Sequence, residues 1–212
     1  MAKSLGSNIL KFTGKIGNVI AYYSRGKICY RSIPANYRDC KSTKQIKQRG
    51  QLVACTQFAS KVLDSLNKKI LKRGSVEYTY LQLFNRLNMP AFNKEGEIEH
   101  YELLKFSCKL LPPPEKMEFT VLDSKRGVIS VKWEDNTQYD SVDPNDCLRI
   151  IAINNEDVSI IPGLTASRKD HETTFQLPWE NWDKLHLYAF FYNNSNLKSS
   201  PTFYQMIQLP AF

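Results

Sequence analysis

Eight cations fall within residues 25–49: Arg25, Lys27, Arg31, Arg38, Lys41, Lys44, Lys47 and Arg49. Tyr22, Tyr23, Tyr30 and Tyr37 are interleaved with them. Cations pair with phosphates and aromatic rings stack on bases, so this combination suits nucleic acid. It suits three other readings as well. The residues could form a solvated face, dock on an acidic partner protein, or pack on the acidic remainder of the chain, because charge alone selects no partner. The split is sharp. Residues 1–73 hold 16 Lys or Arg against Asp39 and Asp64 and stand at +14, while residues 74–212 stand at −6, giving +8 in all. The two parts therefore face different partners, or each other.

Other chemistry finds little support in spacing. Gly14-Lys15-Ile16-Gly17 lacks the GxxxxGK[ST] of a phosphate loop and the GxGxxG of a dinucleotide site, so it reads as a turn with close backbone packing. His100, His171 and His186 have no second ligand at metal spacing in their own elements, and Asp170-His171-Glu172 reads as a polar turn. The pairs Glu134-Asp135 and Glu156-Asp157 fall in expected turns and read as solvated; no GxSxG nucleophile elbow occurs. These absences point away from an enzyme, and no cofactor, metal or small-molecule ligand is expected. Cys29, Cys40, Cys55, Cys108 and Cys147 are odd in number and contain no CxxC. They read as reduced thiols, mostly buried, as in a reducing compartment. No apolar run approaches transmembrane length and the first residues lack a signal-peptide core, so a cytoplasmic protein is expected.

The elements that must hold these residues are legible in outline. Ile16–Tyr23 and Lys27–Ile33 are rich in β-branched and aromatic residues and are joined by Ser24-Arg25-Gly26, which predicts a hairpin. Pro34 ends it, and residues 35–42 form a connector. Ser42 or Thr43 caps a long helix over about 43–73, whose apolar stripe is Leu52, Cys55, Ala59, Val62, Leu63, Leu66 and Ile70, with Gly74 as the stop. A shorter helix over about 76–88 follows, closed by Pro90, and then a strand within 97–111. Pro112-Pro113-Pro114 reads as a stiff linker between domains, 1–111 and 112–212. Beyond it, seven short runs separated by turns predict a β-sandwich: 118–122, 128–133, 147–153, 158–161, 173–177, 184–192 and 202–209. Leu185, Leu187, Ala189 and Phe191 share one face of the sixth run; His186, Tyr188, Phe190 and Tyr192 share the other. With Trp179 and Trp182 these make an aromatic cluster. It reads as sandwich core, or as an interaction patch if the second sheet leaves that face uncovered.

Residues 112–209 resemble a fibronectin type III-like domain, with Trp133 as the early core Trp and Ser200-Pro201 opening the last strand. A second resemblance rests on an ordered N-terminal series: Gly14-Lys15-Ile16-Gly17-Asn18-Val19-Ile20, Arg25-Gly26-Lys27, Arg31-Ser32-Ile33-Pro34, Asn36-Tyr37-Arg38 and Thr43 to Arg49. This is similar to an uncharacterised Bacteroidales family of the domain-of-unknown-function type. That family pairs a G-K-x-G-N-V-V start and an R-x-x-P step with an N-P-x-T-x-x-Q-x-x-x-R helix opening and a C-terminal sandwich. The chain departs from the pattern at 37–41, where N-P is expected. Similar openings occur in small phage-encoded proteins, so the resemblance implies a phage or mobile-element connection but no activity. The expectation is an α+β chain: an N-terminal β-hairpin plus two-helix region, then an immunoglobulin or fibronectin III-like sandwich. Its expected role is a non-enzymatic interaction or structural protein with a protein partner or self-association. The alternative is a nucleic-acid-binding protein using the basic segment.

Overall fold

The computed structural model describes residues 3–4, 12–24, 26–36, 39–63, 66, 79–107, 110–134, 136–139, 142–155, 157–179 and 182–209. It is α+β and divides into two compact units, Met1–Gln45 and Ile46–Phe212.

The first unit is an antiparallel sheet in the order β1-β2-β3-β4, made of β1 (Lys3–Ser4), β2 (Phe12–Ile16), β3 (Val19–Ser24) and β4 (Lys27–Ser32). The expected hairpin is present as β3 and β4, which pair from Val19 with Ser32 to Ser24 with Lys27, and β1 and β2 extend it into a meander. The run Ile16–Tyr23 is broken at Gly17-Asn18, because Ile16 pairs with Val19 and leaves a two-residue loop. Gly17 takes φ +56°, which costs glycine little and most other residues more. The turn expected over 14–17 thus falls at 17–18, with residues 14–16 in β2, and no close backbone contact forms at Gly17.

Two helices begin the α-helical part. Ser42 caps α1 (Thr43–Leu63): its Oγ accepts from the Gln45 N–H at 3.3 Å, and Gln45 Oε1 accepts from the Ser42 N–H at 3.1 Å. Thr79 and Gln82 repeat this box at the start of α2 (Tyr80–Asn88). Pro90 falls in the 3₁₀ turn Met89–Ala91 that closes α2. The expected continuations over 64–65 and 67–78 lie outside the described residues. The buried stripe of α1 is Cys55, Phe58, Ala59, Val62 and Leu63. Leu52, expected in that stripe, is exposed, and Phe58 takes its place at the centre.

The sandwich follows. One sheet has the order β5-β6-β9, from β5 (Glu115–Asp123), β6 (Val128–Glu134) and β9 (Glu172–Gln176). The other has the order β11-β10-β7-β8, from β7 (Cys147–Asn154), β8 (Asp157–Ile160), β10 (Lys184–Tyr192) and β11 (Phe203–Gln208). Between the sheets lie Ile129, Val131, Trp133, Leu148, Ile150, Phe175, Leu185, Leu187 and Phe191. The outer face of the four-stranded sheet carries a second apolar cluster. Ile151, Ile153, Tyr188, Phe190 and Tyr192 pack there against Phe58, Val62, Phe84, Phe92, Leu104 and Phe106.

That second cluster explains why the chain does not divide at 111/112. The apolar faces of α1 and α2 bury on the sheet and share its core, so α2 and α1 from Ile46 onward belong to the unit Ile46–Phe212. The prolines lie inside this unit rather than linking two domains. The Pro112 carbonyl accepts from Arg168 Nη2 at 3.2 Å, and the Pro113 carbonyl from Asn136 Nδ2 at 2.8 Å. No strand forms within 97–111 among the described residues either, only a bridge between Phe92 and Ile98 and a 3₁₀ turn at Tyr101–Leu103. Leu104 and Phe106 point inward as in a strand. The backbone between them is satisfied differently: buried Asn88 donates to the Lys105 carbonyl at 3.0 Å and accepts from its N–H. A side-chain amide stands where a neighbouring strand would. The loop also approaches α1 closely at Gly96, φ +95°, where a Cβ would lie 3.1 Å from Ala54 Cβ.

Because one sheet serves two cores, truncating its helix-facing side should destabilise everything from α1 to β11 together. Phe190→Ala is expected to cost about 3–5 kcal/mol. Helical circular dichroism and tryptophan fluorescence should then lose structure in one coincident denaturant transition. Two separated transitions would contradict a shared core.

Candidate functional site

Cross-strand register builds two unlike faces on the N-terminal sheet. β3 and β4 pair Ile20 with Arg31 and Tyr22 with Cys29; β2 and β3 pair Lys15 with Ile20. Lys15, Ile20 and Arg31 thus form one row, and Tyr22, Lys27 and Cys29 lie on the same face. The Arg31 guanidinium sits over the Tyr22 ring, 5.8 Å from its centroid. The opposite face carries Ile16, Val19, Ala21, Tyr23, Ile28 and Tyr30. Among the described residues of this unit only Ala21 is a buried apolar side chain. Ile16, Val19, Tyr22, Tyr23 and Tyr30 are exposed, Tyr23 to 65%.

The expected basic residues are placed as follows. Lys27 and Arg31 are exposed on β4. Lys41 precedes the α1 cap, with φ +41°. Lys44, Lys47 and Arg49 are exposed in the first two turns of α1. Lys47 meets Glu95 at 3.5 Å, an exposed pair worth little. Arg25 and Arg38, with Tyr37, lie outside the described residues. The structure brings Arg31, Lys27 and Tyr22 onto one face and adds Lys15, which the sequence reading did not include. Only the turn at Gly17-Asn18 folds β2 back alongside β3, and that turn was the missing signal.

Among the described residues of the second unit, buried Arg168 and His186 each anchor a polar grouping. Arg168, 1% exposed, and Asp146, fully buried, form an ion pair at 3.3 Å through Nε and Oδ2. Arg168 also donates to Asn136 Oδ1 at 2.7 Å and lies 4.3 Å from the Phe191 ring centroid. Asn193 donates to Asp146 Oδ1 at 2.8 Å. Burial lowers the Arg168 pKa, and Asp146 opposes that shift. Every arm is occupied by protein, so the group clamps loops around the proline run. Removing one partner of such a pair typically costs about 3–5 kcal/mol. In the other grouping His186 is stacked on Tyr101, with ring centroids 3.7 Å apart, and its Nδ1 meets the Tyr204 hydroxyl at 2.8 Å. Burial, helped by Lys184 and opposed by Glu102, pushes its pKa down to about 4. The Tyr188 hydroxyl donates to the Tyr101 carbonyl at 2.8 Å, and burial raises its pKa.

The remaining candidates resolve into packing and turns. Tyr188, Phe190 and Tyr192 are covered, but by the helical layer and not by the second sheet, so they are neither sandwich core nor a free patch. Trp182 lies in the sandwich core with Trp179 packed against it. Asp170 accepts from the Ser167 N–H at 2.7 Å, His171 adopts φ +59° in the turn, and Glu172 accepts from Ser130 Oγ at 2.9 Å. His100 pairs with Glu102 at 3.2 Å at the surface, and Glu134 with Lys116 at 2.7 Å; Asp135 and Glu156 lie outside the described residues. Of the described cysteines, all free thiols, only Cys55 is buried, contrary to the expectation for most of them. Burial pushes its thiol up to about 11. Cys40, in the connector before α1, is exposed.

No protein-family model matches this sequence, and comparison with curated proteins gives no match. Among solved structures, the chain is similar to a computer-redesigned β-sandwich protein. Identity is 12%, coverage is 49% of this chain and 94% of that one, and the TM-score is 0.34.

The His186 environment sets a pH dependence. The folded state holds the neutral ring down to about pH 4, whereas an unfolded chain protonates it below its ordinary value near 6.5. The unfolded state therefore binds more protons between those values, and stability falls as pH drops through that window. Urea unfolding from pH 7 to pH 4 should show this loss, and His186→Phe should flatten the profile. An unchanged slope in the variant would contradict the assignment.

Proposed function

We propose that this chain is a non-enzymatic interaction protein that engages a polyanionic partner through the N-terminal sheet. The observation that carries this reading is the contrast between the units. The second is packed on both faces of its central sheet. The first exposes its aromatics and cations and has one buried apolar side chain among the described residues. So thin a sheet gains little from its own core, and the exposed residues are the kind that interfaces use. Asp39 is the only acid in residues 1–63, so its electrostatic attraction is for negative charge.

A fibronectin III-like assignment for the sandwich is supported by its three-plus-four strand arrangement, with Trp133 on the second strand of the three-stranded sheet. Membership of the uncharacterised Bacteroidales family rests on the ordered N-terminal motif series alone; within that series Gly17-Asn18 makes a hairpin turn and Gln45 reciprocates the Ser42 cap. A cytoplasmic location agrees with the absence, among the described residues, of any helix long and apolar enough to cross a membrane.

Charge reversal separates this reading from the general attraction of a basic protein for polyanions. Lys27→Glu with Arg31→Glu should lower the salt needed to elute the protein from heparin far more than Lys125→Glu with Lys198→Glu, which changes net charge equally on the sandwich. Equal shifts for the two double variants would contradict a localised site.

A further inference from the structure

We infer that the face carrying Lys15, Tyr22, Lys27 and Arg31 binds single-stranded nucleic acid, which deepens and rests on the polyanion reading above. The two faces of the N-terminal sheet divide by chemistry. All the described cations within its strands β2 to β4 project from one face, since Lys15 aligns with Ile20 and Arg31, and Lys27 lies two residues from Cys29 on β4. Lys15 and Arg31 flank Ile20 across three strands, about 10 Å apart by two interstrand spacings. Between them and Lys27 lies Tyr22, 43% exposed, with Arg31 over its ring. A stacking surface and phosphate-pairing cations thus sit side by side, the pairing that non-specific single-strand binders use.

Charge complementarity and aromatic exposure together select this occupant. A second copy of the same face would bring like charges together. An acidic protein would use the cations but leave the ring of Tyr22 without a flat partner. A duplex hides its bases in the stack, so the exposed ring would contribute nothing to binding. Only unpaired bases use both features. The opposite face, with Ile16, Val19, Tyr23 and Tyr30, carries no cation from β2 to β4 and supplies an internal control.

Fluorescence anisotropy of the full chain with a labelled oligo-dT strand, at low and at moderate salt, tests the assignment. Tyr22→Ser should weaken binding about tenfold, as loss of one stacked base does. Tyr23→Ser, the next residue but on the other face, should leave affinity unchanged. Arg31→Gln should weaken binding and reduce the slope of log K against log salt by about 0.7, one counterion released from a single strand. Thermal melting of each variant checks folding. Equal losses from Tyr22→Ser and Tyr23→Ser would overturn the proposal, as would duplex binding as tight as single-strand binding. Binding to heparin or poly-glutamate without binding to oligo-dT would overturn it while leaving the polyanion reading intact. Failure to bind any of them would remove both.

Discussion

Strand β10 is buried on both faces, and most of the second unit is organised by that fact. One side of it, Leu185, Leu187, Ala189 and Phe191, faces the three-stranded sheet. The other, Tyr188, Phe190 and Tyr192, needs a cover of its own, and leaving three aromatic rings wet would forfeit several kcal/mol. The helices α1 and α2 supply the cover. Their apolar faces are equally dependent on the sheet, since helices of this length gain most of their stability from tertiary packing. The result is three layers with the four-stranded sheet in the middle.

Side-chain amides finish what strands leave open. Asn88 serves the Lys105 backbone, and Gln205 binds both the N–H and the carbonyl of Phe119, at 2.9 and 3.0 Å. Gln51 holds the carbonyls of Met89 and Phe92. Each closes a seam where regular pairing stops. Gln205 also ties β11 to β5 across the sandwich, which blunts an edge that would otherwise present unpaired backbone. The Arg168–Asp146 clamp does the same for the proline run, whose residues have no N–H to offer.

Local pattern carried the sandwich well: short strand-like runs between turn signals located all seven strands, and period-two alternation separated the two faces of β10. It also gave both helices, because an N-cap such as Ser42 and apolar stripes are local signals, whereas the capping boxes at Ser42 and Thr79 went unread. What failed was relational. Nothing near Tyr188 says whether a sheet or a helix covers it. The Leu104 and Phe106 alternation looks like a strand because inward pointing is shared by strands and by extended loops served by an amide. The prolines looked like a linker because the groups that anchor them, Arg168 and Asn136, are distant in sequence. For the basic face, Arg31, Lys27 and Tyr22 were visible as types. Their arrangement was not, since the register depends on a turn at Gly17-Asn18 set within a β-branched run.

The cooperative three-layer unit and the thinly packed basic sheet should differ in how easily they open. Native-state hydrogen exchange measures this directly, because it gives an opening free energy for each segment. Amides of α1 from Cys55 to Leu63 and those of β10 should exchange with one shared, global free energy, while amides of β3 and β4 should open at a much lower one. Protection of β3 and β4 equal to that of β10, or a helix that opens well before the sheet beneath it, would contradict the account.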